Sequence, residues 1–206
     1  MRKTLIAPAA TLGGATAAMW IVRILDWFGT GRSAAGHGIV PRTLEGLDGI
    51  AVAPLIHADF DHLVANTIPF VILGAIILFR GIDELLFVTL VSLLVAGFGT
   101  WLFGTSHSEH IGASGIVFGF FGYLVFRGAF DRRLSSIAIM LAVGFGYGAS
   151  MAYALVPAEG ISWAGHFFGF VGGFSAARLR YRRSAHDERV KRALSVIPLI
   201  KTPRSD

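Results

Sequence analysis

The chain has 206 residues, 54% of them hydrophobic and only 15% charged, whereas a soluble domain carries roughly 25% charged residues. That deficit excludes an ordinary soluble globule and points to a membrane protein. The formal net charge of +5 calls for no nucleic acid, because basic residues gathered on one side of a membrane give the same balance. The absence of cysteine rules out a disulfide framework, a thiol nucleophile and a thiolate metal site.

Six apolar stretches follow one another, at about 5–25, 61–79, 84–103, 113–130, 134–156 and 161–179. Each approaches the ~20 residues that cross a ~30 Å hydrocarbon core as a helix. Backbone groups find no water partners in lipid, so spans are helices or a closed barrel, and these unbroken apolar runs choose helices. The first stretch follows Arg2 and Lys3 and ends near Arg23 and Asp26. Basic residues, an apolar run and small residues at 13–18 also fit a cleavable leader, whose removal would leave five spans.

The segment 29–55 is rich in glycine, includes Pro41 and Pro54, and suits short interfacial helices. The second stretch is introduced by the run His57-Ala-Asp-Phe-Asp-His62-Leu-Val-Ala-Asn66. Asp59 and Asp61 suit a helix start. His62 and Asn66, four residues apart, share one helix face roughly 40° apart, while His57 points away by about 140° or belongs to the lead-in segment. Arg80 and the third stretch follow, then a polar loop at 104–112 with His107, Glu109 and His110. The spacing of these histidines matches no recognised metal site, and we expect no metal.

The fourth stretch opens with Ile-Gly-Ala-Ser-Gly-Ile-Val-Phe-Gly-Phe-Phe-Gly, residues 111–122, which places Ser114 at its start and Gly112, Gly115, Gly119 and Gly122 on or near one face. After the fifth stretch, the loop 157–160 holds Pro157 and Glu159. The sixth contains Ala-Gly-His-Phe-Phe-Gly-Phe-Val-Gly-Gly, residues 164–173, with Gly165, Gly169 and Gly173 spaced for close helix approach. Packing of the fourth stretch on the sixth would bring Ser114 to His166. A basic tail, 181–206, completes the chain; it is expected to be mobile or to lie on anionic headgroups.

With six spans, fifteen of the eighteen Lys and Arg fall on one side: Arg2, Lys3, Arg80, Arg127, Arg132, Arg133, and nine from Arg178 onward. The positive-inside rule then puts both termini in the cytoplasm; Arg32 and Arg42 lie on the opposite side. Ser114 and His166 would lie toward that outer side.

Ionisable and polar residues within spans are costly and are functional candidates by default. A serine and a histidine at membrane depth, each flanked by glycine, suit a nucleophile and its base. His62 and Asn66 can donate hydrogen bonds to a tetrahedral oxyanion. The structural alternatives are a serine bonded to a carbonyl one turn back and histidines that merely tie helices together. There is no His-Glu-x-x-His metalloprotease helix and no Gly-x-Gly-Asp. A proton-relay transporter built on His62 and His166 is disfavoured by the lack of paired carboxylates and inverted repeats.

Together, His-x4-His-x3-Asn at 57–66, Gly-x-Ser-Gly at 112–115 and His-x2-Gly-x3-Gly at 166–173 resemble the rhomboid intramembrane serine proteases of the compact six-span bacterial type, over about residues 50–180. The resemblance implies an all-α bundle of six transmembrane helices over 1–180 in a bacterial plasma membrane, acting on transmembrane protein substrates without a cofactor. It implies Ser114 as nucleophile and His166 as base. It also implies His62, Asn66 and the Ser114 N–H as oxyanion donors, and Gly112 as the gap for the substrate backbone. Phe118 stands where many members stack a tyrosine on the histidine. A Trp-Arg pair common in the first outer loop is not evident. The acidic residue often found at the inner end of the second span has no clear counterpart, though Asp83 and Glu84 lie nearby. An inactive rhomboid-like binder of transmembrane proteins is the alternative.

Overall fold

The computed structural model describes residues 3–29, 36–158 and 160–196. Arg2, Arg32, Glu159, Lys201 and Arg204, which figure in the charge and loop readings above, lie outside them. The described residues are helical, with no strand: α1 (Lys3–Phe28), α2 (Gly49–Val52), α3 (Phe60–Leu78), α4 (Ile82–Phe103), α5 (Ser114–Asp131), α6 (Leu134–Tyr153) and α7 (Trp163–Val196). A long helix therefore lies at each of the six apolar stretches. The 29–55 segment carries α2 between the 3-10 turns Glu45–Leu47 and Ala53–Leu55.

Among the described residues, α3, α4 and α6 are long and apolar enough to cross a membrane. The other long helices are more polar. Arg23 and Asp26 fall in α1 and Arg127 and Asp131 in α5, while α7 turns basic from Arg178. α5 is also enclosed by its neighbours, and eleven of its residues, from Ile116 to Gly128, are buried. An enclosed helix has little contact with lipid and can tolerate such polarity.

Local signals set several helix ends. Asp59, in extended conformation, caps α3 by accepting the His62 N–H at 2.7 Å, as its position before the apolar run predicts. Gly81, at φ +119°, turns the chain into α4, whose first turn holds Asp83 and Glu84 against the positive end of the helix dipole. α7 passes through residue 180 without a break and is described as far as Val196. Residues 181–196 hold no glycine or proline and many good helix formers, so the change in composition near 180 is no helix boundary.

The core is built where α4, α5 and α7 meet. A Cβ at Gly169 would collide with the Gly115 carbonyl, and one at Gly173 with the Gly119 carbonyl. Gly119 in turn faces Ser92 of α4, and a Cβ at Gly172 would lie 3.0 Å from the Ser92 backbone. α3 joins through Phe70, stacked on Phe120 at 5.5 Å. α6 is peripheral, with only Ser136, Val143 and Met151 buried.

At the end opposite Ser114, charged groups pair across helices. Asp131 lies 3.2 Å from Arg80 and 3.0 Å from Arg127, and Arg80 donates to the Ser136 hydroxyl at 2.8 Å. Glu84 pairs with Arg180 at 2.9 Å and accepts the Tyr123 hydroxyl, which ties α4 to α5 and α7.

Gly173→Val places a branched side chain against backbone that cannot yield. The variant should lose about 1–3 kcal/mol of stability, read as a lower unfolding midpoint in detergent. An unchanged midpoint would refute the close α5–α7 contact.

Candidate active site

Ser114 is the first residue of α5, and the chain must turn sharply to place it there. Gly112 makes the turn at φ +102°; in that left-handed region an L side chain is strained. Space is equally limiting. A Cβ on Gly112 would lie 2.7 Å from His62 Nε2 and 3.7 Å from Asn66 Nδ2. His62 and Asn66 of α3 are thereby brought beside the start of α5.

Two loops hold this turn in place. Ile39 and His110 exchange backbone hydrogen bonds of 2.9 Å in an isolated antiparallel bridge. The Glu109 carboxylate accepts the N–H groups of Gly36 and Gly38 at 2.7 and 2.6 Å. Arg42 reaches the carbonyls of Leu102 and Gly104 at 2.8 and 3.0 Å, satisfying acceptors at the end of α4. The Gly112 N–H donates to the Ala53 carbonyl at 2.9 Å.

Across the α5–α7 contact, Ser114 Oγ lies 2.9 Å from His166 Nε2. His166 sits in the first turn of α7, where the Ser162 carbonyl accepts its N–H at 3.0 Å. Its Nδ1 lies 2.7 Å from the Ala154 carbonyl oxygen, just past α6. A carbonyl can only accept, so Nδ1 carries the proton and Nε2 offers its lone pair to the serine hydroxyl. Phe118, one turn after Ser114, stacks on the imidazole with centroids 4.3 Å apart and planes 7° apart.

Ser114, His166, His62, Asn66 and Phe118 line one cleft of about 1120 Å³. Its far wall comes from Tyr147, Ser150 and Met151 of α6, with Trp163 at the start of α7. The Asn66 amide donates to the His62 carbonyl at 2.9 Å, which fixes its orientation and leaves its second N–H. An open, partly polar cleft beside a hydroxyl–imidazole pair can bind an extended backbone and attack a carbonyl.

His57 does not line this cleft. It is 3% exposed, stands edge-on to His62 at 5.1 Å, and its Nε2 receives the Ala113 N–H at 3.5 Å, a structural role. Burial, then the neighbouring His62, pushes its pKa down to about 4. His110 is also held below the usual histidine value by burial, against a smaller opposing effect of the Thr105 backbone. Among the described residues, no group of three or more His, Asp or Glu could hold a metal ion.

Motif reading therefore located the side chains that meet at the cleft. It missed the Ala154 carbonyl, the Glu109 and Arg42 contacts and the α6 wall. A backbone acceptor has no residue signature, and Glu109 and Arg42 look like ordinary loop charges until the two loops come together.

A family model described as Rhomboid domain matches residues 47–183. Among relatives, an uncharacterized protein of Mycobacterium tuberculosis is 36% identical over 199 residues, covering 90% of this chain and 82% of its own length. One from Mycobacterium leprae is 35% identical over 205 residues, covering 93% and 80%. A Bacillus subtilis protein, provisionally named a rhomboid protease, is 30% identical over 129 residues, covering 58% of this chain and 60% of its own.

The His57 shift has a definite sign. Its folded pKa is lowered, so its contribution to stability is complete above the unfolded value of about 6.5 and is lost as pH falls toward about 4. Melting temperature should drop between pH 7 and pH 4, and His57→Gln should flatten part of that slope. An identical slope in the variant would remove His57 as a contributor.

Proposed function

The chain belongs to the rhomboid family, and we propose that it is an intramembrane serine endopeptidase that cuts transmembrane segments of membrane proteins near the outer face. The observation that carries this reading is the 2.9 Å approach of Ser114 Oγ to His166 Nε2 inside the cleft. In this reading the six long helices cross a bacterial plasma membrane. The arginine-rich ends and both termini face the cytoplasm, as the distribution of Lys and Arg favours. The chain is an integral membrane protein, and its cleft opens at the end that carries few basic residues.

His166 acts as general base through Nε2, taking the Ser114 proton as Oγ adds to the scissile carbonyl. The protonated imidazole then gives that proton to the leaving amine, and the acyl group stays on Ser114. Water entering from the outer face adds to the acyl-enzyme, giving a proton to His166; the bond to Ser114 Oγ then breaks, the imidazolium returns the proton to Oγ, and the new carboxyl terminus leaves. The oxyanion is held by the Ser114 N–H, by Asn66 and by His62, at the positive end of the α5 dipole. Gly112 keeps the path between His62 and the serine open for substrate backbone. Phe118 offers the flat face that keeps the imidazole upright, and a hydroxyl is not needed for that.

Fluorophosphonate labelling of the purified protein beside its Ser114→Ala variant tests whether this serine is activated. Labelling should occur in the wild type and vanish in the variant; a folded wild type that neither labels nor cleaves a model transmembrane substrate would favour the non-cutting binder. Ser114→Ala and His166→Ala should each lower cleavage by at least about 10⁴-fold. Asn66→Ala should lower it by roughly 10²-fold, because other donors remain. Wild-type turnover in either dyad variant would remove the dyad.

A further inference from the structure

Serine–histidine sites ordinarily use a third group to fix the tautomer and orientation of the base. Here the atom facing His166 Nδ1 is the backbone carbonyl of Ala154, at 2.7 Å, and it does not belong to the elements that hold the rest of the site. Ser114 and Phe118 are on α5 and His166 is on α7, and those two helices are locked by glycine contacts. Ala154 is the C-terminal cap of α6, the helix that forms the far wall of the cleft.

α6 is tied down near its start, carries uncontacted glycines along its middle, and packs its outer end on the core through Tyr147, Met151 and Ala154. Near its start, Ser136 is buried and bonded to Arg80, and Gly128 of α5 sits directly against Met140 and the Ser136 carbonyl. Farther along, Gly144, Gly146 and Gly148 have open space where a Cβ would stand. Three glycines within five residues weaken a helix interior without serving a close contact. Phe145, among them, is almost fully exposed, as are Leu141 and Tyr153 to a lesser degree. Tyr147, among the glycines, and Ser150 and Met151 beyond them face the cleft, and the chain then reaches Ala154.

We propose that the Ala154 carbonyl is the positioning group for His166, and that it makes the position of the outer half of α6 a switch for the catalytic base. This inference rests on the protease reading above and concerns how that site is controlled. When the outer half of α6 stands as observed, the carbonyl keeps the proton on Nδ1 and turns the Nε2 lone pair toward Ser114. When α6 bends outward about its glycines, the carbonyl leaves with it. Nδ1 loses its acceptor, the imidazole is free to exchange tautomers, and the serine loses a competent base. A transmembrane segment that displaces α6 on its way to the cleft meets a resting nucleophile. The dyad is restored only when α6 closes again over the bound segment.

The test uses the full chain in detergent and in liposomes. Replacing Leu155 by its α-hydroxy acid turns the Ala154 carbonyl into an ester carbonyl, a weaker acceptor, and also removes the 3.2 Å bond from the Leu155 N–H to Ala152. The same change at Val156 removes a comparable backbone bond, to Tyr153 at 3.0 Å, and leaves the Ala154 carbonyl an amide. We expect the first ester to label with fluorophosphonate roughly tenfold more slowly than the second. The ¹⁵N ring shifts of His166 should show loss of the Nδ1–H tautomer in the first ester alone. Separately, joint replacement of Gly144, Gly146 and Gly148 by alanine should leave probe labelling intact and slow cleavage of a transmembrane substrate severalfold. Equal labelling and equal ring shifts in the two esters, with a reactive wild type, would overturn the inference and leave the protease reading standing. Wild-type cleavage by the triple variant would overturn the pivot. An unreactive wild type would overturn the protease reading and the inference with it.

Discussion

The backbones of α5 and α7 can touch because glycine lies on both sides of their crossing. Ordinary helices stand 8–10 Å apart, held off by their side chains. Here the carbonyls of Gly115 and Gly119 occupy the space that side chains on Gly169 and Gly173 would fill. A serine hydroxyl and a histidine ring are short reaches from their backbones, and only this close approach brings them within 2.9 Å. The stacking of Phe118 on His166 depends on the same contact, since both rings project from the paired helices. The cleft lies beside this pair and is lined by residues of α3 and α6.

A low-dielectric setting explains the polar partners of the site. A buried carboxylate facing His166 would carry a desolvation cost of several kcal/mol. A carbonyl dipole fixes the tautomer without a net charge. The two ends of the bundle are organised differently for the same reason. At the Ser114 end, loops are joined by backbone hydrogen bonds and by Glu109 and Arg42, each bonded to backbone groups that would otherwise lack partners. At the opposite end, ion pairs and hydrogen bonds of Arg80, Asp131, Glu84 and Arg180 join α4, α5, α6 and α7. Ser114 and His166 thus sit on tightly packed helices, with α6 at the periphery.

Much of this was legible in the residues. Apolar runs mark lipid-facing or buried helices, and the structure has a long helix at each run. Asp59 before such a run reads as a cap and is one. Gly-x-Ser-Gly and His-x2-Gly-x3-Gly read as a close helix contact, because small residues let backbones approach, and α5 and α7 do meet there. Composition was a poorer guide to where α7 ends, because basic residues without glycine or proline continue a helix as readily as apolar ones. The Glu84–Tyr123–Arg180 group was also invisible, its members being 39 or more residues apart.

The sequence by itself determined the membrane class, the helical segments, and the polar side chains that stand out within the apolar runs, because hydropathy, spacing and functional groups are properties of residues. The tertiary structure alone decided which atoms face one another: Ser114 with His166, Gly112 with His62, Glu109 with Gly36 and Gly38, and His166 with the carbonyl of Ala154. Those pairings depend on the distance and rotation between helices, and above all on backbone atoms, which every residue shares and no sequence pattern can mark.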